Sequence, residues 1–98
     1  MEFNQTGFER AQEVLRALNN PQRLQIVCLL AEKEMHVGAL TDALDISQSA
    51  LSQHLKLLKE AGVLTSRQEG LFVFYAIGGD DVKQIISTLH GLYCGKNS

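Results

Sequence analysis

Over the first half of the chain, apolar residues recur every three to four positions, the period of helices with one face turned to a core. Phe8, Ala11, Leu15 and Leu18 step in this way and predict a helix from about Gly7 to Leu18, with these four as the seam that packs on another helix. Asn20 then stands as a cap before Pro21, whose missing N–H costs nothing in a first helical turn. A second helix follows through Leu24, Val27, Cys28 and Leu30 towards Glu32, with Cys28 on its apolar face. Met35 to Val37 reads as a link, and Val37, Leu40 and Leu44 mark a short third helix within Val37 to Asp45.

Ser47 to Leu64 is the most sharply patterned stretch. Leu51, Leu55 and Leu58 share one helical face, and Gln48, Ser49, Ser52, Gln53 and Lys56 share the other. Ser47 is placed to cap this helix, and Gly62 supplies the left-handed residue that stops it. With Ile46 joining it to the helix before, the pair reads as a helix-turn-helix whose recognition helix is Ser47 to Glu60. The pattern then turns extended. Val63 to Gln68, a turn at Glu69 and Gly70, and Leu71 to Ile77 predict a two-stranded hairpin, placed as a wing directly after the recognition helix. Gly78 and Gly79 close it, and Asp80 or Asp81 opens a last helix with apolar residues at 82, 85, 86, 89, 92 and 93.

The fold class is therefore mainly α: a winged helix-turn-helix of four helices, a hairpin and a fifth helix, in a single domain spanning residues 1–98. Its first and last helices carry more apolar surface than so small a domain can cover. That surplus predicts a homodimer joined by the helices at both ends.

Composition adds constraints on the partner. A formal net charge of −2 is awkward for a nucleic-acid binder, because neutralisation of phosphates by Lys and Arg supplies most nonspecific affinity. The distribution softens the objection. Residues 21–46 set four acidic groups against Arg23 and Lys33, whereas residues 47–79 set Lys56, Lys59 and Arg67 against Glu60 and Glu69. Gln48, Ser49, Ser52 and Gln53 are short enough to approach base edges and can both donate and accept, as groove readout requires; a merely solvated helix face is the plainer reading. His54, beside the apolar stripe, either orients the helix, touches phosphate or reads a base. Lys56 and Lys59 add helix-surface charge, and Arg67 at the wing approach is either a phosphate anchor or an ordinary strand-end charge. Phe72, Phe74 and Tyr75 are expected to pack.

No apolar run approaches the roughly 18 residues needed to span a bilayer, and the N-terminus lacks the basic and then apolar plan of a signal peptide. A cytoplasmic protein without a membrane partner is expected. In a reducing cytosol, a permanent structural disulfide between the distant Cys28 and Cys94 is not. Cys28 alone reads as a small buried hydrophobe, whereas Cys94 falls at the frayed end of the last helix, one turn after His90, which is either an ordinary helix-surface histidine or one whose imidazolium favours a thiolate. An enzymatic reading, a small thiol peroxidase or sulfur-transfer protein, lacks a Cys-x-x-Cys motif, a nucleotide loop and a carboxylate–histidine arrangement that would activate a thiol for turnover.

The element order and the segments LNNPQRLQIVCLL, DISQSALSQHLKLLKEAGVL and RQEGLFVFYAI resemble the ArsR/SmtB family of dimeric bacterial transcriptional repressors, over residues 8–94. The placement of one cysteine in the second helix and one after Tyr93 is similar to the sulfide- and redox-responsive branch of that family. The resemblance implies a repressor, not an enzyme, that holds double-stranded operator DNA at an inverted repeat and releases it when reactive sulfur species such as persulfides, or oxidants, link Cys28 to Cys94. It implies no cofactor. Metal-sensing relatives carry two thiolates where this chain has His36 and Gly38, and zinc-binding relatives carry a ligand set on the last helix that Asp81, Val82, Lys83, His90 and Tyr93 do not reproduce. The alternative within the family is a metal-responsive repressor that improvises ligands from Cys28, Cys94 and histidines.

Overall fold

The computed structural model describes residues 4–94, with Cys94 described in its backbone only. Helix α1 spans Gln5–Leu18, α2 Pro21–Leu30, α3 Val37–Ala43, α4 Gln48–Glu60 and α5 Asp80–Leu89; strands β1 (Met35–His36), β2 (Leu64–Glu69) and β3 (Phe72–Ile77) complete the order, and a single π-helical turn, His90–Cys94, follows α5.

Local chemistry sets most of these limits. Asn20 Oδ1 accepts from the backbone N–H of Gln22 (2.9 Å) and Arg23 (3.0 Å), with Pro21 directly after the cap. Ser47 Oγ accepts from Ala50 N at 3.1 Å and starts α4, and Gly62, at φ +77°, stops it. Helix α1 begins two residues before the expected Gly7, because Asn4 Oδ1 caps it by accepting from Gly7 N at 2.9 Å.

The core lies where the five helices meet the base of the wing. Leu51, Leu55 and Leu58 of α4, Ile26 and Val27 of α2 and Val82 and Ile86 of α5 are all buried. Each such aliphatic side chain contributes roughly 1.5–3 kcal/mol by leaving water. In α1 the inward residues are Val14, Ala17 and Leu18, so the predicted seam is corrected: Leu18 faces this domain's own core, while Phe8 (50% exposed), Ala11 and Leu15 (63% exposed) face out. Ile85, Leu92 and Tyr93 face out at the other end of the chain. Both terminal helices thus carry two apolar sides, one used within the domain and one turned away from it.

The hairpin is antiparallel, from Leu64↔Ile77 to Glu69↔Phe72. This register places its two-residue loop at Gly70 and Leu71, one position later than expected, with glycine at the first loop position at φ +62°. The supposed link at residues 35–37 holds a third strand, Met35–His36, and the first residue of α3. Met35 pairs with Tyr75 and His36 with Phe74, giving the sheet order β1-β3-β2.

Candidate nucleic-acid interface and thiol site

Helix α4 presents Gln48, Ser49, Ser52, Gln53 and Lys56 as exposed side chains on the face opposite its buried leucines. Gln48 and Ser52 also line a cleft of about 560 Å³ whose other walls come from α3 (Val37, Gly38, Thr41, Asp42) and from the wing (Leu71, Phe72, Val73), with His36 at its floor. The polar row and the wing therefore flank one concavity. Among the described residues, Asp42 is the one Asp, Glu, Lys or Arg side chain in its lining.

His54 lies off this row. It is half-buried, and its Nε2 donates to Gln22 Oε1 at 2.9 Å, which ties the middle of α4 to the first turn of α2. Burial lowers its pKa, and the nearby Arg23 lowers it further. Of the roles open to it from sequence, this bond matches the one that orients the helix. Lys59 is likewise engaged, its Nζ donating to Ser66 Oγ at 2.6 Å.

Arg67 departs furthest from expectation. Its Nε donates to Glu34 Oε2 at 3.2 Å, its Nη2 pairs with Glu34 Oε1, its Nη1 lies 3.5 Å from Glu69 Oε1, and the guanidinium sits 4.8 Å from the Phe74 ring centroid. The hydrogen bond from Arg67 holds the Glu34 carboxyl below its usual range. Arg67 thus forms a strut joining the β2 strand to the residue before β1, and a phosphate would have to compete with Glu34 and Glu69 for its guanidinium. Gln22 and Glu34, the partners of His54 and Arg67, carried no signal in the sequence: they lie 32 and 33 residues from the groups they hold.

Cys28 is half-buried rather than buried. It lines an apolar pocket of about 510 Å³ with Leu24, Leu29 and Leu44, and the polar groups at its edge include Glu32 and His90. His90 Nε2 lies 3.0 Å from Glu32 Oε2, so the first residue of the terminal turn reaches back to the end of α2. Cys94 ends the same turn; its side chain lies outside the described residues. His36, where metal-sensing relatives place a thiolate, is used structurally. Its Nδ1 accepts from Ala39 N at 3.3 Å to cap α3, and its ring packs 5.1 Å from Phe72 and 5.6 Å from Phe74. Among the described residues, no three His, Cys, Asp or Glu side chains are grouped to hold a metal ion, and no helix is long and apolar enough to cross a membrane.

The model for bacterial regulatory proteins of the arsR family matches residues 20–66, from the cap of α2 through the recognition helix to the first half of β2. The transcriptional activator HlyU of Vibrio cholerae serotype O1 is 46% identical over 88 residues, covering 90% of this chain and 82% of that protein. Reduced HlyU from Vibrio cholerae superposes with a TM-score of 0.86 at 43% identity, over 93% of this chain and 96% of the other. A biofilm growth-associated repressor of Agrobacterium fabrum is 40% identical over 88% of this chain and 76% of its own length. A homodimeric winged helix-turn-helix DNA-binding domain from Mycobacterium bovis superposes with a TM-score of 0.79 at 28% identity, over 99% of this chain and 96% of that one.

Proposed function

The chain belongs to the arsR family of bacterial regulatory proteins and is a transcriptional regulator rather than an enzyme, and we propose that it is a cytoplasmic repressor whose grip on operator DNA is released when Cys28 and Cys94 are linked. Reading falls to Gln48, Ser49, Ser52 and Gln53, with Lys56 meeting phosphate. All five are exposed on one face of α4. The protein acts as a homodimer on an inverted repeat with half-sites about 34–36 Å apart. The outward apolar residues of α1 and α5 support this assembly, as does the homodimeric state of the Mycobacterium bovis domain.

The observation that carries the switch is the shared pocket. Cys28 lines it, and so does His90, which opens the turn that Cys94 closes. Reactive sulfur supplies the oxidant. Two cysteine thiols and one organic persulfide give a disulfide, one thiol and hydrogen sulfide; each further persulfide inserts one sulfur atom into the bridge and leaves one more thiol. Cys94 attacks first and Cys28, half-buried in the pocket, resolves. A hundredfold loss of operator affinity needs a shift of about 2.7 kcal/mol between two dimer geometries, within the usual range of allosteric coupling.

Mass spectrometry of the protein after an organic persulfide, and separately after peroxide, tests this when paired with operator binding by each product. Loss of both thiols within one protomer, together with DNA release, is expected. Cys28→Ser and Cys94→Ser should hold DNA under both treatments. Release from either variant, or unchanged binding by the bridged wild type, removes the dithiol switch.

A further inference from the structure

We infer that Arg10 is a positioning residue for the recognition helix, setting the angle at which α4 leaves the base formed by α1 and α5 and hence which operator spacing the dimer accepts. From α1, Arg10 Nη1 donates to the Ala61 carbonyl at 2.7 Å and Nη2 to the Gly62 carbonyl at 3.2 Å, while Nε donates to Asp81 Oδ2 at 3.2 Å. Ala61 is the C-cap of α4, and Asp81 is in the first turn of α5, where its Oδ1 accepts from Val82 N at 2.8 Å. One guanidinium thus joins α1 to two elements that lie 51 to 71 residues further along the chain.

Two features make this joint specific. The last carbonyls of a helix have no partner within it and form the negative end of its dipole, so a cation that donates to that end is held by charge as well as by hydrogen bonds. A planar fork carries its donors on three nitrogens in fixed directions and so reaches two carbonyls and a carboxylate from separate atoms; a lysine ammonium gathers its three donors on one nitrogen and does not span them in the same geometry. Gly62 makes the approach possible. Besides its φ of +77°, a Cβ at this position would stand 2.8 Å from Arg10 Nη1.

The lever arm explains why the joint bears on DNA. A helix of 13 residues is about 20 Å long, so a tilt of about 10° at its C-terminal end carries its first turn by roughly 3 Å, close to the rise of one base pair. Gln48, Ser49, Ser52 and Gln53 all lie in the half of α4 far from that pivot. The base that Arg10 grips is the pair of helices whose outward residues were assigned above to the dimer. The inference therefore rests on that dimer reading.

The test uses the full chain and a duplex selected by the wild-type protein from a random-sequence pool, compared with the same duplex lengthened or shortened by one base pair between half-sites. Wild type should prefer its own spacing by about tenfold or more, as misplaced base contacts are lost. Arg10→Gln should flatten that preference to below about threefold while remaining dimeric and binding nonspecific DNA as before. Asp81→Asn, which loses only the α5 arm, should fall between, and Arg10→Lys should restore thermal stability but not spacing selectivity. Should Arg10→Gln fold poorly, the other two carry the comparison. Wild-type spacing preference in dimeric Asp81→Asn and Arg10→Lys overturns the inference with the dimer intact. A monomeric wild type in light scattering overturns the dimer reading, and the inference falls with it.

Discussion

The recognition helix and the wing behind it make opposite use of their polar groups. Helix α4 buries three leucines and leaves Gln48, Ser49, Ser52, Gln53 and Lys56 exposed, whereas β2 commits its one arginine to two carboxylates and an aromatic ring. Side chains without an internal partner can meet bases at little cost. A cation already paired must first exchange its partner. On the proposed reading, the contrast teaches that a chain of net charge −2 would gain specificity mainly through hydrogen-bonding side chains on one helix.

The strongest way to break this comparison is through the helix. Ser49→Ala and Gln53→Ala should each cost about 1–3 kcal/mol on the selected operator and little on random duplex, because a base contact carries sequence information and a phosphate contact does not. Equal losses on both duplexes in fluorescence anisotropy would mean that this face is only solvated. Next comes Glu34→Gln, which removes the main carboxylate on Arg67. Freeing the guanidinium should tighten binding to random duplex and steepen the salt dependence by roughly one ion, making the wing behave as the sequence suggested. An unchanged salt slope would show that Arg67 cannot reach DNA even when released.

His54 gives a smaller effect, through pH. Burial, with Arg23 adding, holds its pKa below the ordinary 6.5, so as pH falls the unfolded chain takes up this proton before the folded protein does. Stability is therefore undiminished by this group above the ordinary value and falls as pH drops through it. Urea unfolding between about pH 7 and about pH 5 should show a smaller loss for His54→Gln than for wild type; equal losses would rule out His54 as the group responsible. Smallest of all is Arg67→Ala. Exposed ion pairs are worth roughly 0–1 kcal/mol, so its melting temperature should move by only a few degrees and its affinity for random duplex should stay within about twofold. A large affinity loss would restore Arg67 as a phosphate contact.

What was legible in the sequence was local. Ser47, Gly62 and the leucines between them announce α4 within eighteen residues, and Asn20 with Pro21 announces α2, because caps and periodicity act over a turn or two. Strand β1 was not legible, since two residues cannot show a period. Nor were the partnerships of His54 with Gln22, Arg67 with Glu34, or Arg10 with Ala61, Gly62 and Asp81, which exist only once distant elements pack. The α1 seam departed at Leu18 for a related reason: a helix with apolar residues on two sides does not say which of them its own domain takes. For the thiols, the spacing of Cys28 and His90 in the sequence says nothing of the pocket that they both line.

The short strand before α3 has a mechanical consequence. By pairing Met35 with Tyr75 and His36 with Phe74, it braces the middle of β3 on the side away from β2, while the loop at Gly70 and Leu71, with Leu71 97% exposed, lies beyond that brace. The wing is therefore a three-stranded plate up to Phe74 and a two-stranded ribbon beyond it. Its middle is tied to the segment that opens the helix-turn-helix, so in the proposed complex that plate would arrive with the reading helix, and the ribbon at Glu69 to Phe72 would be the part left to fit the groove.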